Sequence, residues 1–134
     1  NIEIIPPVPY ENIVETVSQY DLGLIIFQSK HFHHKYMTVP NKFYECLQAR
    51  VPVIVSPTSA MAPIILKNQC GIVSKSDSLD DYVDAIKSLS SERIYEMSNN
   101  CNNLAFEHSN EFWFEDYRKT ISDIINQEPT SSKI

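Results

Sequence analysis

The chain has 134 residues, of which 43% are hydrophobic and 21% charged, and this is the length and composition of one globular domain with a buried core. Seventeen acidic residues against eleven basic ones give a formal net charge of −6 at pH 7, and without a basic run no nucleic-acid partner is expected. No apolar stretch approaches the roughly 18 residues of a membrane-spanning helix, and no signal peptide is recognised, so neither membrane insertion nor secretion is expected.

The first part of the chain predicts a strand, a helix and a second strand. Ile2–Ile5 is a short apolar run that two prolines end, which predicts a short strand. Tyr10–Tyr20 follows Pro9 and carries apolar residues at helical spacing, so it is predicted to be a helix. Asp21–Phe27 is almost continuously apolar, as is typical of a parallel strand buried on both faces.

The segment Gln28–Val39 shows no periodicity and is predicted to be a loop. It contains His31, His33 and His34, and their spacing could bring two imidazoles to one metal ion. The loop has no Asp, Glu or Cys to complete such a site. A solvated or ligand-facing loop is therefore the preferred interpretation, and a metal site is the weaker one.

Asn41–Arg50 is predicted to be a helix with an apolar face toward the sheet and a polar face away from it. The apolar set is Phe43, Cys46 and Leu47, and the polar set is Asn41, Glu45 and Gln48. Pro52–Ser56 follows within a few residues and is predicted to be a second buried strand.

The rest of the chain predicts one more strand and four helices, three of them consecutive at the end. Ser78 or Asp77 is the predicted N-cap of a helix that ends at Leu89, because such side chains accept hydrogen bonds from the first helical amides. The last helix begins at Asn110 and carries apolar residues at helical period: Phe112, Trp113, Tyr117, Ile121, Ile124 and Ile125. The remaining elements are a helix at Ala60–Asn68, a strand at Gly71–Ser74, a helix from Ser91 and a polar tail at Gln127–Ile134.

The cysteines and glycines exclude several kinds of site. Cys46, Cys70 and Cys101 are an odd number of cysteines without CxxC spacing. This pattern predicts a reducing cytoplasm, no zinc site, and thiols that fill the core. The chain has only two glycines, and neither a Walker loop nor a GxGxxG loop is present.

Strands and helices alternate before three helices close the chain, so the predicted fold class is α/β, a Rossmann-like parallel sheet with flanking helices. Ligands of such sheets bind outside the carboxyl ends of the strands. Three segments follow such ends: Gln28–Val39, the start of the helix at Asn41, and Pro57–Ala62. A helix start offers amides and a positive dipole end to an anion, and Glu45, one turn further on, can accept hydrogen bonds from hydroxyls. Together they suit a ribose diphosphate.

The run PNKFYECLQARVPVIVS, from Pro40 to Ser56, resembles the signature of the C-terminal domain of GT-B glycosyltransferases of the retaining group 1 or family 4 type. The family pattern is P-x-K-x-x-E, a few small residues, and then P-V-hydrophobic-x-S. The matching positions are Pro40, Lys42, Glu45, Ala49, Pro52, Val53 and Ser56. A D-x-G-L strand before the run and a CGIV strand after it lie in the family's order, so the resemblance covers nearly the whole chain.

The resemblance implies a binding site for a nucleotide-sugar donor. In the family, the glutamate that matches Glu45 binds the ribose hydroxyls of the donor. The backbone that opens its helix, here Val39, Pro40, Asn41 and Lys42, lies against the diphosphate, and the turn matching Pro7, Val8 and Pro9 borders the nucleobase. Catalysis in the family stabilises the departing diphosphate electrostatically. No metal or cofactor is implied, and no residue of this chain receives a catalytic role.

Two positions depart from the family pattern. Many relatives carry a further glutamate eight positions earlier, and that position is Met37 here. The usual glycine after the helix is replaced by Arg50, which must adopt or avoid a left-handed conformation without the freedom of glycine. Half of the paired-glutamate motif is therefore absent.

GT-B enzymes have two Rossmann-like domains, and the resemblance implies that this chain supplies part of one: a partial donor-binding domain over residues 1–126 and a tail over residues 127–134. The acceptor domain, and two strands that would lie between Ile2–Ile5 and Asp21–Phe27, are expected to lie outside the chain, so the chain alone is expected to be inactive. Either Ile2–Ile5 moves beside Asp21–Phe27, or another chain, a second copy included, covers the exposed sheet edge.

The full-length protein is expected to be a hexosyltransferase that transfers a sugar from a UDP- or GDP-linked donor to an acceptor hydroxyl, in the synthesis of cell-surface polysaccharide or lipopolysaccharide. Its expected location is the cytoplasm, with peripheral association at the inner face of the membrane. Two alternatives stay open: a GT-B-like nucleotide-sugar epimerase, and a non-catalytic α/β binding module such as a receiver. A receiver needs a phosphoacceptor aspartate at the carboxyl end of a strand, whereas Asp21 stands at the start of one.

Overall fold

A computed structural model gives the structure of the chain and describes residues 2–26 and 37–126. The described residues form an α/β fold in which a parallel sheet is flanked by helices, as the sequence predicts. The strands are β1 (Gly23–Ile25), β2 (Val53–Val55) and β3 (Gly71–Val73), and the helices are α1 (Ile13–Val17), α2 (Asn41–Gln48), α3 (Ala62–Asn68), α4 (Leu79–Lys87), α5 (Ser91–Glu107) and α6 (Asn110–Asn126). None of these helices has the length and apolarity needed to cross a membrane.

The sheet has the order β1-β2-β3, and both pairs of strands are parallel. The central strand β2 is buried along its whole length, which explains why its sequence is a continuous apolar run rather than an alternating one. Its side chains still alternate between the two faces. Val53 and Val55 join the larger core cluster, and Ile54 joins the smaller one.

The larger cluster lies between the sheet and helices α1, α2, α3 and α5, and the smaller one lies between the sheet and α4. In the larger cluster, Phe43 and Leu47 of α2 are almost completely buried, as their helical spacing predicts. Each such side chain contributes about 1.5–3 kcal/mol by leaving water. The three cysteines are free and buried, which confirms that they fill the core.

The two glycines of the chain stand at equivalent places in the sheet. Gly23 begins β1 and Gly71 begins β3, and both lie beside Val53 of β2. A β-carbon on Gly71 would lie 2.2 Å from the carbonyl oxygen of Val53, whereas one on Gly23 would meet side-chain atoms at 3.1 Å. Gly71 therefore allows a close approach between the backbones of two strands, which no other residue permits.

Helix α5 holds the ends of two other helices in place. Arg50 after α2 and Gln69 after α3 both have positive φ, 61° and 52°, a left-handed conformation that costs a residue with a β-carbon about 1–2 kcal/mol. Ser98 Oγ of α5 donates to the carbonyl oxygen of Arg50 at 2.7 Å, and Asn100 Nδ2 donates to that of Gln69 at 3.1 Å. Arg50 thus adopts the left-handed cap for which glycine is usual, and tertiary hydrogen bonds offset the strain.

The starts of the later helices follow local capping chemistry. Ser78 Oγ accepts a hydrogen bond from the amide of Asp81 at 3.2 Å, and Ser90 Oγ accepts one from the amide of Arg93 at 3.2 Å. Of the two caps predicted for α4, Ser78 is therefore the correct one. The predicted helix starts at Ser91 and Asn110 are confirmed.

One predicted strand is wrong. Ile2–Ile5 forms no strand, and Ile2 and Ile4 are 97% and 93% exposed. A strand exists only where a neighbour completes its hydrogen bonds, and in the described part of the chain β1 pairs with β2 alone. The two prolines that follow Ile5 also remove backbone donors. The segment therefore does not move beside β1, whose Leu24 is 49% exposed. That another chain covers this edge stays a prediction.

Other elements are shorter than predicted, because the ends of a periodic pattern are not fixed by the pattern itself. The helix predicted at Tyr10–Tyr20 is a 3-10 turn at Tyr10–Asn12 followed by the short α1. The strand predicted at Asp21–Phe27 covers three residues in β1, and Phe27 lies outside the described residues. Helix α4 ends at Lys87 rather than Leu89.

Helix α6 has the predicted apolar stripe, but none of its residues is buried. Trp113 and Ile125, for example, are 42% and 74% exposed. The helix contacts the end of α5, where Trp113 Nε1 donates to the carbonyl oxygen of Glu107 at 2.9 Å and the Phe112 ring packs against Phe106. Periodicity therefore predicted the helix, and it does not predict what the stripe contacts.

Candidate functional site

The start of α2 lies at the carboxyl edge of the sheet, as the predicted site requires. Its N-cap is Pro40, which is extended, with φ −74° and ψ 156°. The Pro40 carbonyl accepts a hydrogen bond from the Phe43 amide at 2.9 Å. The first amides of a helix have no partner within the helix, and a proline N-cap has no side-chain acceptor to offer them. In contrast to α4 and α5, α2 therefore begins without a hydrogen bond from its first amides to the side chain of its N-cap residue.

Glu45 and Asn41 line one cleft, of about 300 Å³, between α2 and the segment that contains the 3-10 turn and α1. Glu45 is half-buried, and it lies one helical turn after Asn41. The cleft is lined by Tyr10, Glu11, Ile13, Val14, Asn41, Tyr44, Glu45 and Gln48. We call it the α2 cleft. It places a carboxylate that accepts hydrogen bonds within a turn of a helix start that donates them.

The other residues of the predicted diphosphate segment lie around the α2 cleft rather than in it. Val39 is partly buried and packs against the larger core cluster. Pro40 is half-buried and Lys42 is exposed, and neither lines the cleft. Any contribution of Val39 and Pro40 to a ligand would therefore come from the backbone.

The predicted nucleobase segment leads directly into the α2 cleft. Pro7, Val8 and Pro9 are exposed and do not line the cleft, which begins at the next residue, Tyr10. The Pro9 carbonyl accepts a hydrogen bond from the Asn12 amide at 2.9 Å, and this bond fixes the turn. The structure thus brings the turn to the mouth of the cleft while leaving its three predicted residues outside.

Sequence reasoning missed six residues that line the α2 cleft: Tyr10, Glu11, Ile13, Val14, Tyr44 and Gln48. Tyr44 neighbours Glu45 in the chain, and its ring lies between Phe43 and His108, with centroid distances of 5.5 and 5.6 Å. Tyr44 lies three residues after Asn41, so helical spacing could have found it. Tyr10 and Glu11 come from a different element, and no local spacing indicates their contact with α2.

Pro57–Ala62 is the third segment that was predicted to border the ligand site, and its polar side chains form hydrogen bonds within the protein. Ser56 Oγ, at the end of β2, donates to the carboxylate of Asp77 and lies 2.7 Å from the Thr58 hydroxyl. Ser59 Oγ accepts from the Met61 amide at 3.1 Å. These bonds tie the end of β2 to the loop before α4, so the hydroxyl groups here already have protein partners.

The family follows from a comparison with protein-family models. Residues 1–121 match the model described as Glucosyltransferase 3-like, C-terminal domain. The chain belongs to this family. No curated protein and no solved structure gave a significant match. The match confirms the resemblance at the level of a C-terminal domain of a glycosyltransferase.

The matched region of this glucosyltransferase 3-like domain contains the whole α2 cleft. Within it, the Cys46 thiol lies on the opposite face of α2 from the cleft. Burial, and then the charge of Glu45, raise the pKa of Cys46 to about 11, while Lys42 lowers it. The thiol is therefore protonated at neutral pH and is a packing residue rather than a nucleophile.

No group of three or more His, Cys, Asp or Glu in the described ranges of the glucosyltransferase 3-like domain could hold a metal ion. The three loop histidines, His31, His33 and His34, lie outside those ranges, so the choice between a metal site and a ligand-facing loop stays a prediction. The chemistry available in the α2 cleft is hydrogen bonding: two carboxylates, two side-chain amides, two tyrosines and a helix start.

Proposed function

We propose that the chain is the donor-binding half of a nucleotide-sugar-dependent glycosyltransferase of the GT-B type, related to the retaining group 1 or family 4 enzymes. The observation that carries this proposal is the position of Glu45, half-buried in the α2 cleft one turn from a helix start with a proline N-cap. A carboxylate accepts hydrogen bonds from vicinal hydroxyls, and a helix start attracts a diphosphate. A nucleoside diphosphate presents both groups about one helical turn apart.

In this proposal each part of the donor has a partner. The diphosphate accepts hydrogen bonds from the backbone around Val39–Lys42, the ribose hydroxyls donate to Glu45, and the nucleobase extends toward the turn of Pro7–Pro9 and the ring of Tyr10. Lys42 is exposed and is free to turn its ammonium toward the phosphates. These contacts hold the leaving group and stabilise the negative charge that it gains as the bond to the sugar breaks.

The reaction proposed for the full-length protein is transfer of a hexose from the nucleotide to an acceptor hydroxyl. The acceptor and the groups that position it belong to a second domain, so residues 1–126 act as a partial donor domain that is inactive alone. The proposed pathway is synthesis of a cell-surface polysaccharide or lipopolysaccharide, with the enzyme in the cytoplasm, peripherally associated with the inner face of the membrane.

A receiver-like function receives no support from the structure. A phosphoacceptor aspartate must stand at the carboxyl end of a strand, and Asp21 is exposed and precedes β1. Its carboxylate therefore lies at the opposite edge of the sheet from the α2 cleft.

Calorimetric titration of the full-length protein with UDP, GDP and their sugar derivatives tests the proposal. We expect one nucleotide series to bind and Glu45→Ala to weaken its binding by about 1–3 kcal/mol, as for a hydrogen bond to a charged group. The matched control is Glu96→Gln, which removes a carboxylate from an exposed position on α5 and should leave the affinity unchanged. Absence of heat with every nucleotide would refute the proposal.

A further inference from the structure

A second and larger groove lies at the amino edge of the sheet, on the far side of Gln48 from the start of α2. Its volume is about 720 Å³, within the range of about 300–1,000 Å³ that is usual for small-ligand sites. It is formed by α1, the loop before β1, the end of α2 and the first half of α5. Val14 and Gln48 separate it from the α2 cleft and line both. We call it the amino-edge groove.

Arg50 is the unusual residue of this groove. It lines the groove and holds a left-handed backbone conformation, φ 61°, at a helix end where glycine would carry no strain. Gln69, the other residue with positive φ in the described chain, lines neither the amino-edge groove nor the α2 cleft. Residues with a strained backbone conformation cluster at binding sites. Of Arg50 and Gln69, only Arg50 has both a strained backbone and a position in one of these two cavities.

The side chains of the groove indicate what kind of ligand fits. Tyr20 and Tyr95 are exposed, at 54% and 69%, and the carboxylates of Glu15 and Asp21 line the same groove as Arg50. A polyanion would be repelled by the carboxylates, and an apolar ligand would leave all the charged groups without water or partners.

A neutral ligand with many hydroxyls fits this combination. The face of a pyranose ring is lined by C–H groups and packs on a tyrosine ring, whose apolar body and polar tip match it. Its hydroxyls both donate and accept, so they can pair with carboxylates, with a guanidinium and with the amide of Gln48. A sugar therefore offers hydroxyls around its edge and an apolar face in one neutral molecule.

We propose that the amino-edge groove is a carbohydrate-binding site for a short neutral oligosaccharide, separate from the donor site. Tyr95 and Tyr20 stack on sugar rings, and Arg50, Glu15 and Asp21 bind hydroxyls. The site goes beyond the proposed donor function, because it holds a glycan without a nucleotide and at the opposite edge of the sheet. In a glycosyltransferase it would keep a glycan chain on the enzyme between transfers.

The test is a titration of the ¹⁵N-labelled chain with maltotriose and cellotriose, two neutral glucose trimers of different linkage, followed by amide chemical shifts. We expect saturable shifts with at least one trimer at Arg50 and around Tyr95, and none at the start of α2. Absence of saturable shifts with both trimers overturns the proposal. Shifts confined to the α2 cleft also overturn it, because they would place the glycan in the donor site.

Two pairs of variants separate binding from folding. Tyr95→Ala should weaken binding roughly tenfold, the free energy of one aromatic contact. Tyr117 is a similarly exposed tyrosine on α6, and Tyr117→Ala should not change the affinity. Arg50→Gly should weaken binding while raising the melting temperature, because it relieves strain. Gln69→Gly should raise the melting temperature without changing the affinity. Equal affinities for Tyr95→Ala and Tyr117→Ala would contradict the proposal, and the nucleotide titration above is independent of either result.

Discussion

Replacing Gly71 by alanine tests the closest packing in the fold. The added β-carbon would lie 2.2 Å from the carbonyl oxygen of Val53, 3.1 Å from its nitrogen and 3.2 Å from its carbonyl carbon. All three are backbone atoms of β2, which is buried on both faces and cannot move aside. Removing this steric clash therefore requires β3 to shift by about 1 Å. Such a shift breaks the β2–β3 hydrogen bonds or opens the core beneath them.

The expected loss is at least about 3 kcal/mol in the free energy of unfolding, at or above the upper end of overpacking by side chains that can still adjust. The expected loss of stability is opposite in sign to the intrinsic preference of strands, which favour alanine over glycine by about 0.5–1 kcal/mol. Gly23→Ala is the matched control. Its β-carbon would meet the Cys46 sulfur and a methyl group of Val53 at 3.1 Å, and side chains can give way by a few tenths of an ångström.

Thermal and urea unfolding, followed by far-ultraviolet circular dichroism, measure both variants. For a chain of this length a loss of 3 kcal/mol lowers the melting temperature by roughly 10 °C. We expect the melting temperature of Gly71→Ala to fall by at least that amount. The free energy of unfolding of Gly23→Ala should change by less than about 1 kcal/mol. If both variants lose the same stability, the reasoning from backbone contact is refuted.

Two further predictions concern ionisable groups. Burial and the nearby Glu45 raise the pKa of Cys46 to about 11, and all three cysteines are buried, so a thiol reagent at pH 8 should label none of them in the folded chain and all of them in denaturant. Rapid labelling of one thiol in the folded state would show that the core is open there. A hydrogen bond from Ser76 is the main cause that lowers the pKa of Asp81. A lowered pKa stabilises the fold above the unfolded value of about 3.9, and this stability is lost as pH falls through the folded value. Ser76→Ala should therefore reduce the loss of stability below about pH 4, which acid titration of unfolding can measure, and an unchanged acid slope would contradict it.

Elements that depend on local chemistry were predictable from the sequence. The predicted cap at Ser78 or Asp77 and the apolar period of α6 indicate the starts of α4 and α6 within a few residues. The continuous apolar run of β2 was also a readable signal, because a strand that is buried on both faces needs apolar residues at every position.

Elements that depend on distant partners were not predictable. Ile2–Ile5 has the composition of a strand, but a strand needs a neighbour, and none pairs with it among the described residues. The stripe on α6 predicts a helix without saying what the stripe contacts. For Gly71, the sequence shows the glycine, while its contact with Val53 follows only from the register of β2 and β3.

The candidate site shows the same division. The position of Glu45 one turn after Asn41 follows from helical spacing, and its place at the carboxyl edge follows from the order of strands and helices. The contribution of Tyr10 and Glu11 to the α2 cleft depends on how α1 packs against α2, which no short pattern records. Arg50 was recognised as a departure from the glycine that is usual there, but its place in the amino-edge groove came only from the structure.

The central claim, that Glu45 binds the ribose of a nucleotide donor, is tested most directly by combining a variant with a changed ligand. Affinities of the full-length protein and of Glu45→Ala are measured by calorimetry for UDP and GDP and for their 2′-deoxy forms. We predict that Glu45→Ala weakens binding of the ribonucleotide by about 1–3 kcal/mol and weakens binding of the deoxynucleotide much less, because one hydroxyl partner is already missing. Equal losses for the two ligands, or no loss with either, would contradict the account.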